Sequence, residues 1–390
     1  MSVTAAKGFR ASGIVAGLKS SGGRDMALVV NDGPEHACAC VFTSNRCKAN
    51  PVLWSEQVVK DGRARAVVLN SGGANCYTGA EGFATTHAAA ERVAEGLGIG
   101  AGDVVVCSTG LIGLRNDRET VLAGIAKALA ELSADTDGGP DAAAAIMTTD
   151  TVSKQVVVST GSTGGTTWTV GGMAKGAGML APQLATMLVV LTTDAHAEPA
   201  VLDRALRAAT AVSFDRLDSD GCMSTNDTVC LLASGASGAV PTEPELTDAL
   251  TDACTGLAMQ LLADAEGADH EIAITVRGAA TEMDAVEVGR SVARSNLFKA
   301  AVFGKDPNWG RVLASIGTTN ARFDPADLDV AMNGVWVCKA SEPHEPAENV
   351  DLSGREVSVT IDLKSGTSRA TVWTNDLTHA YVHENSAYSS

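Results

Sequence analysis

Short runs of β-branched, apolar residues alternate along this chain with longer stretches that carry apolar residues at helical spacing. Three segments of the first half predict strands because they are short and rich in valine: 65–70, 103–108 and 154–160. Segments 84–98 and 116–134 predict helices, with Asn116 as the N-cap of the second. Because the alternation has no regular strand–helix–strand cadence, it predicts an α/β fold with layered helices and mixed sheets.

The second half repeats this mixture. Buried strands are predicted over 186–194 and 227–234, and helices over 198–211, 243–265 and 284–297. Near the C-terminus, strands over 355–363 and 369–376 flank the sequence KSGTS, which predicts a hairpin. Two stretches rich in Gly, Pro and acidic residues, 133–142 and 342–349, are candidate linkers short enough to be surface loops.

Composition narrows the class of protein. With 390 residues, 45% of them hydrophobic and 19% charged, the chain has the mixture of a globular protein with a substantial core. The net charge of −17 is spread along the chain, so its surface repels phosphate backbones and anionic lipid heads. We therefore expect neither nucleic acid nor membrane as a partner.

The cysteines and the N-terminus indicate a compartment. The nine cysteines are odd in number, scattered, and without zinc-ligand spacing, which favours buried free thiols in a reducing environment over a metal site or disulfides. The first residues, MSVTAAKGFRASGIVAGLK, lack the sustained apolar core of a signal peptide, and no apolar run approaches the ~18 residues of a membrane span. We expect a cytoplasmic protein.

Several common catalytic motifs are absent. The glycine-rich segment 171–178 lacks the Gly-Lys-Ser/Thr ending of a phosphate loop. The seven histidines show no metal-ligand spacing, and no Gly-x-Ser-x-Gly elbow is present. A histidine-dependent hydrolase is therefore poorly supported.

The segment 171–194 is the strongest local signal. A flexible, glycine-punctuated stretch is predicted to run directly into an apolar strand that begins at Thr186. Cleavage of the Ala185–Thr186 bond would give Thr186 a free α-amine with a pKa of about 7.7–8.0, able to take the hydroxyl proton and make the threonine a nucleophile. Spacing alone also allows the simpler interpretation that Thr186 is a β-forming residue that opens a strand.

Ordered segments along the whole chain carry a family resemblance. KGAGMLAPQLATML (175–188) is similar to the self-cleavage segment of ornithine acetyltransferases. Other segments resemble that family in the family's order: 8–19, 41–52, 107–113, 146–151, 224–235, 305–311 and 381–390. The chain is thus identified as a member of this family of self-cleaving, N-terminal-nucleophile-like enzymes.

The resemblance implies a fold, an assembly and an assignment of residues. The fold is an α/β sandwich of the N-terminal-nucleophile-like kind, in which residues 1–185 and 186–390 become separate, intertwined chains assembled as a heterotetramer. Thr186 is the nucleophile that attacks Ala185 and later carries the acetyl group, and Thr109 and Gly110 form the oxyanion hole. The implied substrate-binding residues are Thr148, Lys175, Thr186, Glu266, Asn385 and Ser390, with Lys175 for a carboxylate and Glu266 for an ammonium group.

The reaction implied is transfer of an acetyl group from N-acetylornithine to glutamate. It requires no metal and no bound cofactor, and acetyl-CoA is a candidate second donor because some members of the family use it. Two alternatives stay open: an N-terminal-nucleophile aminopeptidase or amidase, in which water resolves the acyl-enzyme, and an uncleaved chain that only binds metabolites.

Three departures from the family pattern concern the entry loops. Residues 114–120 (LRNDRET) replace a proline-rich stretch, and Gly73 stands where asparagine is usual. In DAEGADHE (264–271), Ala265 and the pair Asp269–His270 differ from the family's residues. Thr109, Gly110, Thr186 and Glu266 are unaffected.

Overall fold

The computed structural model describes residues 2–135, 137–181 and 187–387. The strands within them are, in chain order, β1 (Phe9–Ile14), β2 (Met26–Asn31), β3 (Ala37–Phe42), β4 (Ala66–Asn70), β5 (Val104–Ser108), β6 (Lys154–Gly161), β7 (Thr167–Lys175), β8 (Leu188–Thr193), β9 (Thr228–Ala233), β10 (Glu271–Ala279), β11 (Asp329–Met332), β12 (Val335–Lys339), β13 (Glu342–Pro343), β14 (Glu356–Asp362) and β15 (Ser368–Asn375).

The α-helices of the described residues follow the same order. They are α1 (Asn50–Val58), α2 (Gly79–Leu97), α3 (Arg118–Ala130), α4 (Gly138–Ala145), α5 (Pro199–Val212), α6 (Glu243–Ala263), α7 (Glu282–Ala293), α8 (Asn296–Phe303), α9 (Trp309–Ile316) and α10 (His379–Ala387). Within this part of the chain, no helix combines the length and apolarity needed to cross a membrane.

The strands form three mixed sheets. The first sheet has the order β1-β2-β4-β5, and only β4 and β5 are parallel. The second has the order β3-β9-β8-β7-β6, with β8 and β9 parallel. The third has the order β13-β12-β11-β14-β10-β15, with β10 and β14 parallel. Mixed pairing of this kind was predicted from the irregular cadence of elements.

The first two sheets pack against each other between layers of helices. Val29, Leu69 and Val105 of the first sheet share one core with Leu188 and Val190 of the second. The outer face of the first sheet is covered by α2 and α3, and the outer face of the second by α5 and α6. The result is a four-layer sandwich of helices, two sheets and helices, and the predicted layered α/β class is confirmed.

The third sheet builds a smaller C-terminal unit. Its apolar face packs on α7, α8 and α9, with Ile274, Val292 and Phe298 among the buried residues. This unit is joined to the sandwich by Asn375, whose amide donates to the carbonyl oxygens of Leu262 and His270.

The predicted cleavage point lies in sequence between β7 and β8, two neighbouring strands of the second sheet. Residues 170–175 of β7 pair antiparallel with residues 188–193 of β8. The predicted N-terminal chain therefore contributes β3, β6 and β7 to this sheet, and the predicted C-terminal chain contributes β8 and β9. One sheet thus contains strands from both predicted chains.

Most predicted elements are observed within two or three residues of their predicted bounds, but helix 284–297 ends at Ala293 and α8 begins at Asn296. The N-cap prediction was wrong, because Asp117, not Asn116, accepts the Thr120 N–H at the start of α3. Predicted linker 133–142 contains the first half of α4. The glycines at 171 and 172 lie within β7, so the stretch before the junction is less irregular than expected.

The predicted C-terminal hairpin was also wrong. Strands β14 and β15 lie on opposite sides of β10, parallel and antiparallel to it respectively. The connection between them crosses the end of β10, where Ser365 N–H donates to the Gly278 carbonyl at 2.7 Å. A long-range strand pairing has replaced the local turn.

Candidate active site

The candidate site is organised around the junction between β7 and β8. Ala185 and Thr186, the residues of the predicted scissile bond, lie outside the described residues, as does Ser390. Met187, directly bonded to Thr186, is described and is buried. The geometry around Met187 therefore locates the C-terminal side of the predicted bond.

A buried carboxylate fixes Met187. Its backbone N–H donates to Asp227 Oδ1 at 2.9 Å, and its carbonyl accepts from Thr228 N–H at 3.2 Å. Asp227 is fully buried, and the Ser224 side chain is the second hydrogen-bonding group that acts on its carboxyl. Burial raises the pKa of Asp227 well above its usual range, against the opposing effects of Met187 N–H and Lys175.

The neighbouring residue connects this point to the predicted oxyanion hole. Asn226 donates from its amide to the carbonyl oxygens of Ala74 at 2.6 Å and Ser108 at 2.8 Å. Ser108 directly precedes Thr109. Two consecutive residues, Asn226 and Asp227, therefore hold the start of the predicted oxyanion loop and the start of β8 together.

The loop after β5 has a backbone suited to an oxyanion hole. Thr109 is buried, and its N–H donates to the Asn70 carbonyl at the end of the adjacent parallel strand. Gly110 has φ = 123°, and a Cβ there would lie 3.1 Å from the carbonyl of Gly72. Only glycine fits this conformation and this close approach. We find no contact in the described residues that assigns the Thr109 hydroxyl another structural role.

Lys175 lies at the end of β7, opposite Leu188 in the ladder. Its side chain is only 2% exposed, and its ammonium is 3.9 Å from Asp150 Oδ2. Burial lowers the pKa of Lys175, while Asp150 is the strongest group that opposes this effect. A buried cation one strand away from the predicted nucleophile can bind a carboxylate without competition from bulk water.

Thr148 and Glu266, predicted to bind substrate, lie in two segments that contact each other. Thr148 N–H donates to Asp150 Oδ2 at 2.9 Å, and the hydroxyl of the next residue, Thr149, donates to Glu266 Oε1 at 2.7 Å. Glu266 N–H donates in turn to the Ala177 carbonyl at 3.0 Å. The structure thus brings Thr148, Lys175 and Glu266 into one hydrogen-bonded neighbourhood.

The Glu266 carboxylate lies against the backbone after β7. A Cβ at Gly178 would be 2.6 Å from Glu266 Oε2, so any larger residue at position 178 would displace the carboxylate. This contact explains one of the glycines in the junction segment.

Asn385 is not connected to this neighbourhood. It is exposed on α10, and its amide donates to the Tyr381 carbonyl of the same helix. Tyr381, on the same helix, is partly buried, and burial, followed by the charges of Asp220, Glu266 and Cys222, raises its pKa to about 12.

The departures from the family pattern have structural partners. Asn116 donates to the Gly73 carbonyl at 3.1 Å, and its Oδ1 would be 2.7 Å from a Cβ at position 73. Gly73 and Asn116 therefore fit together as a pair. His270 is buried with Nδ1 2.7 Å from Asp376 Oδ2 and Nε2 3.2 Å from the Leu352 carbonyl, so both of its nitrogens are engaged in structural contacts.

The cysteines are mainly core residues. Seven are buried, whereas Cys47 and Cys222 are exposed, contrary to the expectation that the thiols are buried. The Sγ atoms of Cys38, Cys40 and Cys230 lie within 4.8 Å of one another. They belong to the apolar core between the first two sheets, where thiols pack as small apolar side chains.

Sequence reasoning missed several residues that shape the site. Asp150, Lys154, Asn226, Asp227 and Asp264 were not singled out, although all five contact the predicted site residues or their immediate neighbours. The available signal was their position: Asp150, Asn226 and Asp227 lie in segments that carry the family resemblance.

Comparison with known proteins identifies the family of the chain. The ArgJ family profile matches residues 10–390. The chain belongs to the ArgJ family. Similar curated members include the arginine biosynthesis bifunctional protein ArgJ of Streptomyces avermitilis, 62% identical over the full length of both chains. The Mycobacterium leprae protein of the same name is 56% identical, covering all of this chain and 96% of the relative.

Family membership confirms the resemblance identified from the sequence. Among solved structures, a chain of the ornithine acetyltransferase of Mycobacterium tuberculosis complexed with ornithine is 54% identical. The match covers 48% of this chain and 96% of that chain, with a TM-score of 0.45.

Proposed function

We propose that this ArgJ-family chain transfers the acetyl group of N-acetylornithine to glutamate in arginine biosynthesis, through an acetyl ester on Thr186. The names of its curated relatives support the pathway. The observation that carries the mechanism is the pair Asn226–Asp227, which holds Ser108, next to Thr109, and Met187, next to Thr186. Nucleophile and oxyanion donors must meet in this way for acyl transfer.

The proposed maturation step uses the same groups. The Thr186 hydroxyl attacks the Ala185 carbonyl, and the Ala185–Thr186 amide breaks as an ester forms between the two residues and the α-amine takes the proton. Water then hydrolyses this ester, which leaves a carboxylate on Ala185 and restores the Thr186 hydroxyl beside its free α-amine. That amine then serves as the base, because its pKa of about 7.7–8.0 leaves much of it neutral near neutral pH.

Acetyl transfer then proceeds in two balanced steps. The Thr186 hydroxyl attacks the acetyl carbon, its proton moves to the α-amine, and ornithine leaves with that proton. The amine of glutamate next attacks the ester, releasing N-acetylglutamate and restoring the hydroxyl. Thr109 and Gly110 stabilise the oxyanion in both steps, and losing one such donor costs about 2.7–4 kcal/mol.

Substrate recognition follows from the charges of the site. Buried Lys175 binds the substrate α-carboxylate, and Glu266 binds the side-chain ammonium of N-acetylornithine. Thr148 belongs to the same proposed binding set. Asn385 and Ser390 stay predicted members of it, although Asn385 hydrogen-bonds within α10 rather than to Thr148, Lys175 or Glu266. The scheme needs no metal or bound cofactor, and acetyl-CoA would acetylate the same Thr186 hydroxyl.

We propose that the working assembly, in the cytoplasm, is a heterotetramer of two 1–185 and two 186–390 chains. The mixed second sheet supports the stable association of one such pair, because β7 and β8 would lie on different chains. Sedimentation analysis of the processed protein tests the assembly.

The test of the function is a single-turnover experiment. Mixing the processed protein with N-acetylornithine and no glutamate should release ornithine in a burst equal to the enzyme concentration. Mass spectrometry should then find one acetyl group on the 186–390 fragment, at Thr186. Thr186→Ala should give neither burst nor adduct, whereas Thr163→Ala, at an exposed turn, should give both.

The rate at which the acetyl ester is discharged distinguishes the proposed acetyltransferase from an aminopeptidase or amidase. Glutamate should discharge the acetyl-enzyme much faster than water does, since bound glutamate makes the step effectively intramolecular. Equal rates with and without glutamate would favour the aminopeptidase or amidase function. Acetylation of glutamate without any adduct would replace the covalent mechanism by direct transfer.

A further inference from the structure

We propose that Lys154 is a positioning residue of the substrate site. Together with Asp150 and Asp264 it forms a buried ionic cluster, the Lys154 triad, that holds the segments of Thr148, Lys175 and Glu266 in one arrangement. The assignment of a substrate-binding role to those three residues rests on the proposed function; the arrangement itself is a property of the ligand-free chain.

The Lys154 ammonium makes all of its hydrogen bonds to groups of the protein. It donates to Asp150 Oδ1 at 2.6 Å, to Asp264 Oδ2 at 2.5 Å and to the Val152 carbonyl at 3.3 Å. These contacts use all three ammonium protons. The lysine and Asp150 side chains are 0% exposed and that of Asp264 is 7% exposed.

Asp150 connects the triad to two of the binding residues. Its Oδ1 also accepts Gly176 N–H at 2.6 Å, directly after Lys175, and its Oδ2 accepts Thr148 N–H. The ammonium of Lys175 lies 3.9 Å from the same Oδ2. Movement of the Asp150 carboxylate would therefore break its hydrogen bond with Thr148 and change its distance from the Lys175 ammonium.

Asp264 connects the triad to the third binding residue. It directly follows α6 and lies two residues before Glu266. Its carboxylate accepts both the N–H and the hydroxyl of Thr151, while the hydroxyl of Thr149 donates to Glu266. Two hydrogen-bonded pairs, Thr149–Glu266 and Thr151–Asp264, thus join residues 148–151 to residues 264–266. The Lys154 ammonium adds a third connection, because it binds one carboxylate from each segment.

Energetics favour a geometric role for this cluster. A buried ion pair often adds no more stability than well-packed apolar residues would, but removing one partner leaves an uncompensated charge. Lys154 balances two carboxylates, that of Asp150 four residues before it and that of Asp264, which lies 110 residues after it in sequence. Its removal would let the two carboxylates repel each other and separate the binding segments.

Hydrogen exchange of the ligand-free protein tests the arrangement without using activity. Asp264→Asn and Lys154→Met should each speed exchange about tenfold or more in peptides covering 146–153 and 264–270, with little change in the third sheet. Lys154→Arg should restore most of the protection. The matched control is Lys364→Met, since Lys364 also bridges two aspartates, Asp327 at 2.5 Å and Asp329 at 2.7 Å, but on the surface.

Two exchange results would overturn the proposal. Unchanged exchange in both peptides would show that the triad does not hold them, and an equal rise throughout the chain would show a general stabilising role. Asp264→Asn keeps the shape of the side chain at position 264 and leaves Lys154 paired with Asp150. This variant therefore provides the test if Lys154→Met fails to fold.

Steady-state kinetics give the second readout. Asp264→Asn should raise KM for N-acetylornithine about tenfold while kcat stays within about threefold, since the triad acts on binding rather than on the nucleophile. Lowered kcat with unchanged KM would contradict the assignment. Failure of wild-type acetyl transfer would refute the proposed function alone, because the exchange result stands without it.

Discussion

Met187 N–H donates a 2.9 Å hydrogen bond to the buried carboxylate of Asp227. This contact fixes the first described residue after the predicted cleavage site. Under the proposed mechanism, cleavage frees an amine on the residue that precedes Met187, and we infer that the Asp227 side chain positions it.

Replacing this carboxylate should slow both cleavage and turnover. We expect Asp227→Asn to lower the rate of self-cleavage and kcat by on the order of tenfold or more, since a buried group that loses its hydrogen-bond partner costs about 1–3 kcal/mol. Timed gels and steady-state assays measure the two rates. Asp194→Asn is the control, because buried Asp194 accepts backbone N–H groups just beyond the opposite end of β8. Equal effects of both variants would indicate loss of strand stability instead.

Processing should leave a stable pair of fragments. Denaturing gels should resolve residues 1–185 from 186–390, whereas size exclusion should keep them together because β7 and β8 form one ladder. Thr186→Ala should remain a single, inactive chain. N-terminal sequencing that finds the larger fragment starting at another residue would contradict the assigned bond.

Loss of the hydroxyl donor should affect the chemical step. Thr109→Ala should lower kcat by on the order of 10²-fold with a smaller change in KM, because the donor acts mainly when the oxyanion forms. It should slow self-cleavage as well. Thr120→Ala is the control, because the Thr120 hydroxyl donates to Asp117 at the exposed start of α3. An unchanged kcat would remove Thr109 from the mechanism.

The pH dependence of kcat/KM should report the ionisation of the Lys175 ammonium. Burial lowers its pKa, so the ammonium that binds a carboxylate is lost at a lower pH than for an exposed lysine. Accordingly kcat/KM should fall on the alkaline side, beginning below the ordinary lysine value of about 10.4. Besides Asp150, the charged groups that act on Lys175 are Lys154, Asp227, Glu266 and Lys19.

Asp150→Asn should move this alkaline limb to lower pH. Asp150 is the group that most strongly raises the pKa of Lys175, so its loss lets burial lower that pKa further. Rate–pH profiles of the variant and of the surface control Asp329→Asn measure the shift. A limb that moves to higher pH would mean that another group governs the alkaline side.

Local patterns in the sequence predicted local structure well. Valine-rich runs gave β4, β5 and β6, and helical spacing gave α2, α5 and α6. The chain-wide segments also identified the family correctly. The failed hairpin between β14 and β15 marks the limit of this reasoning. KSGTS has the composition of a turn, but β10, a strand from far earlier in the chain, lies between the two strands and pairs with both.

The sequence by itself determined the family, and through that resemblance it predicted roles for Thr109, Gly110, Lys175 and Glu266. It could do so because a hydroxyl, a cation and an anion are properties that single residues carry. Tertiary structure alone decided their surroundings. Lys175 meets Asp150, and Lys154 reaches Asp264, only when distant segments close around them. Burial and charge then set each pKa, and both depend on the sum of all neighbours in space rather than on the order of residues along the chain.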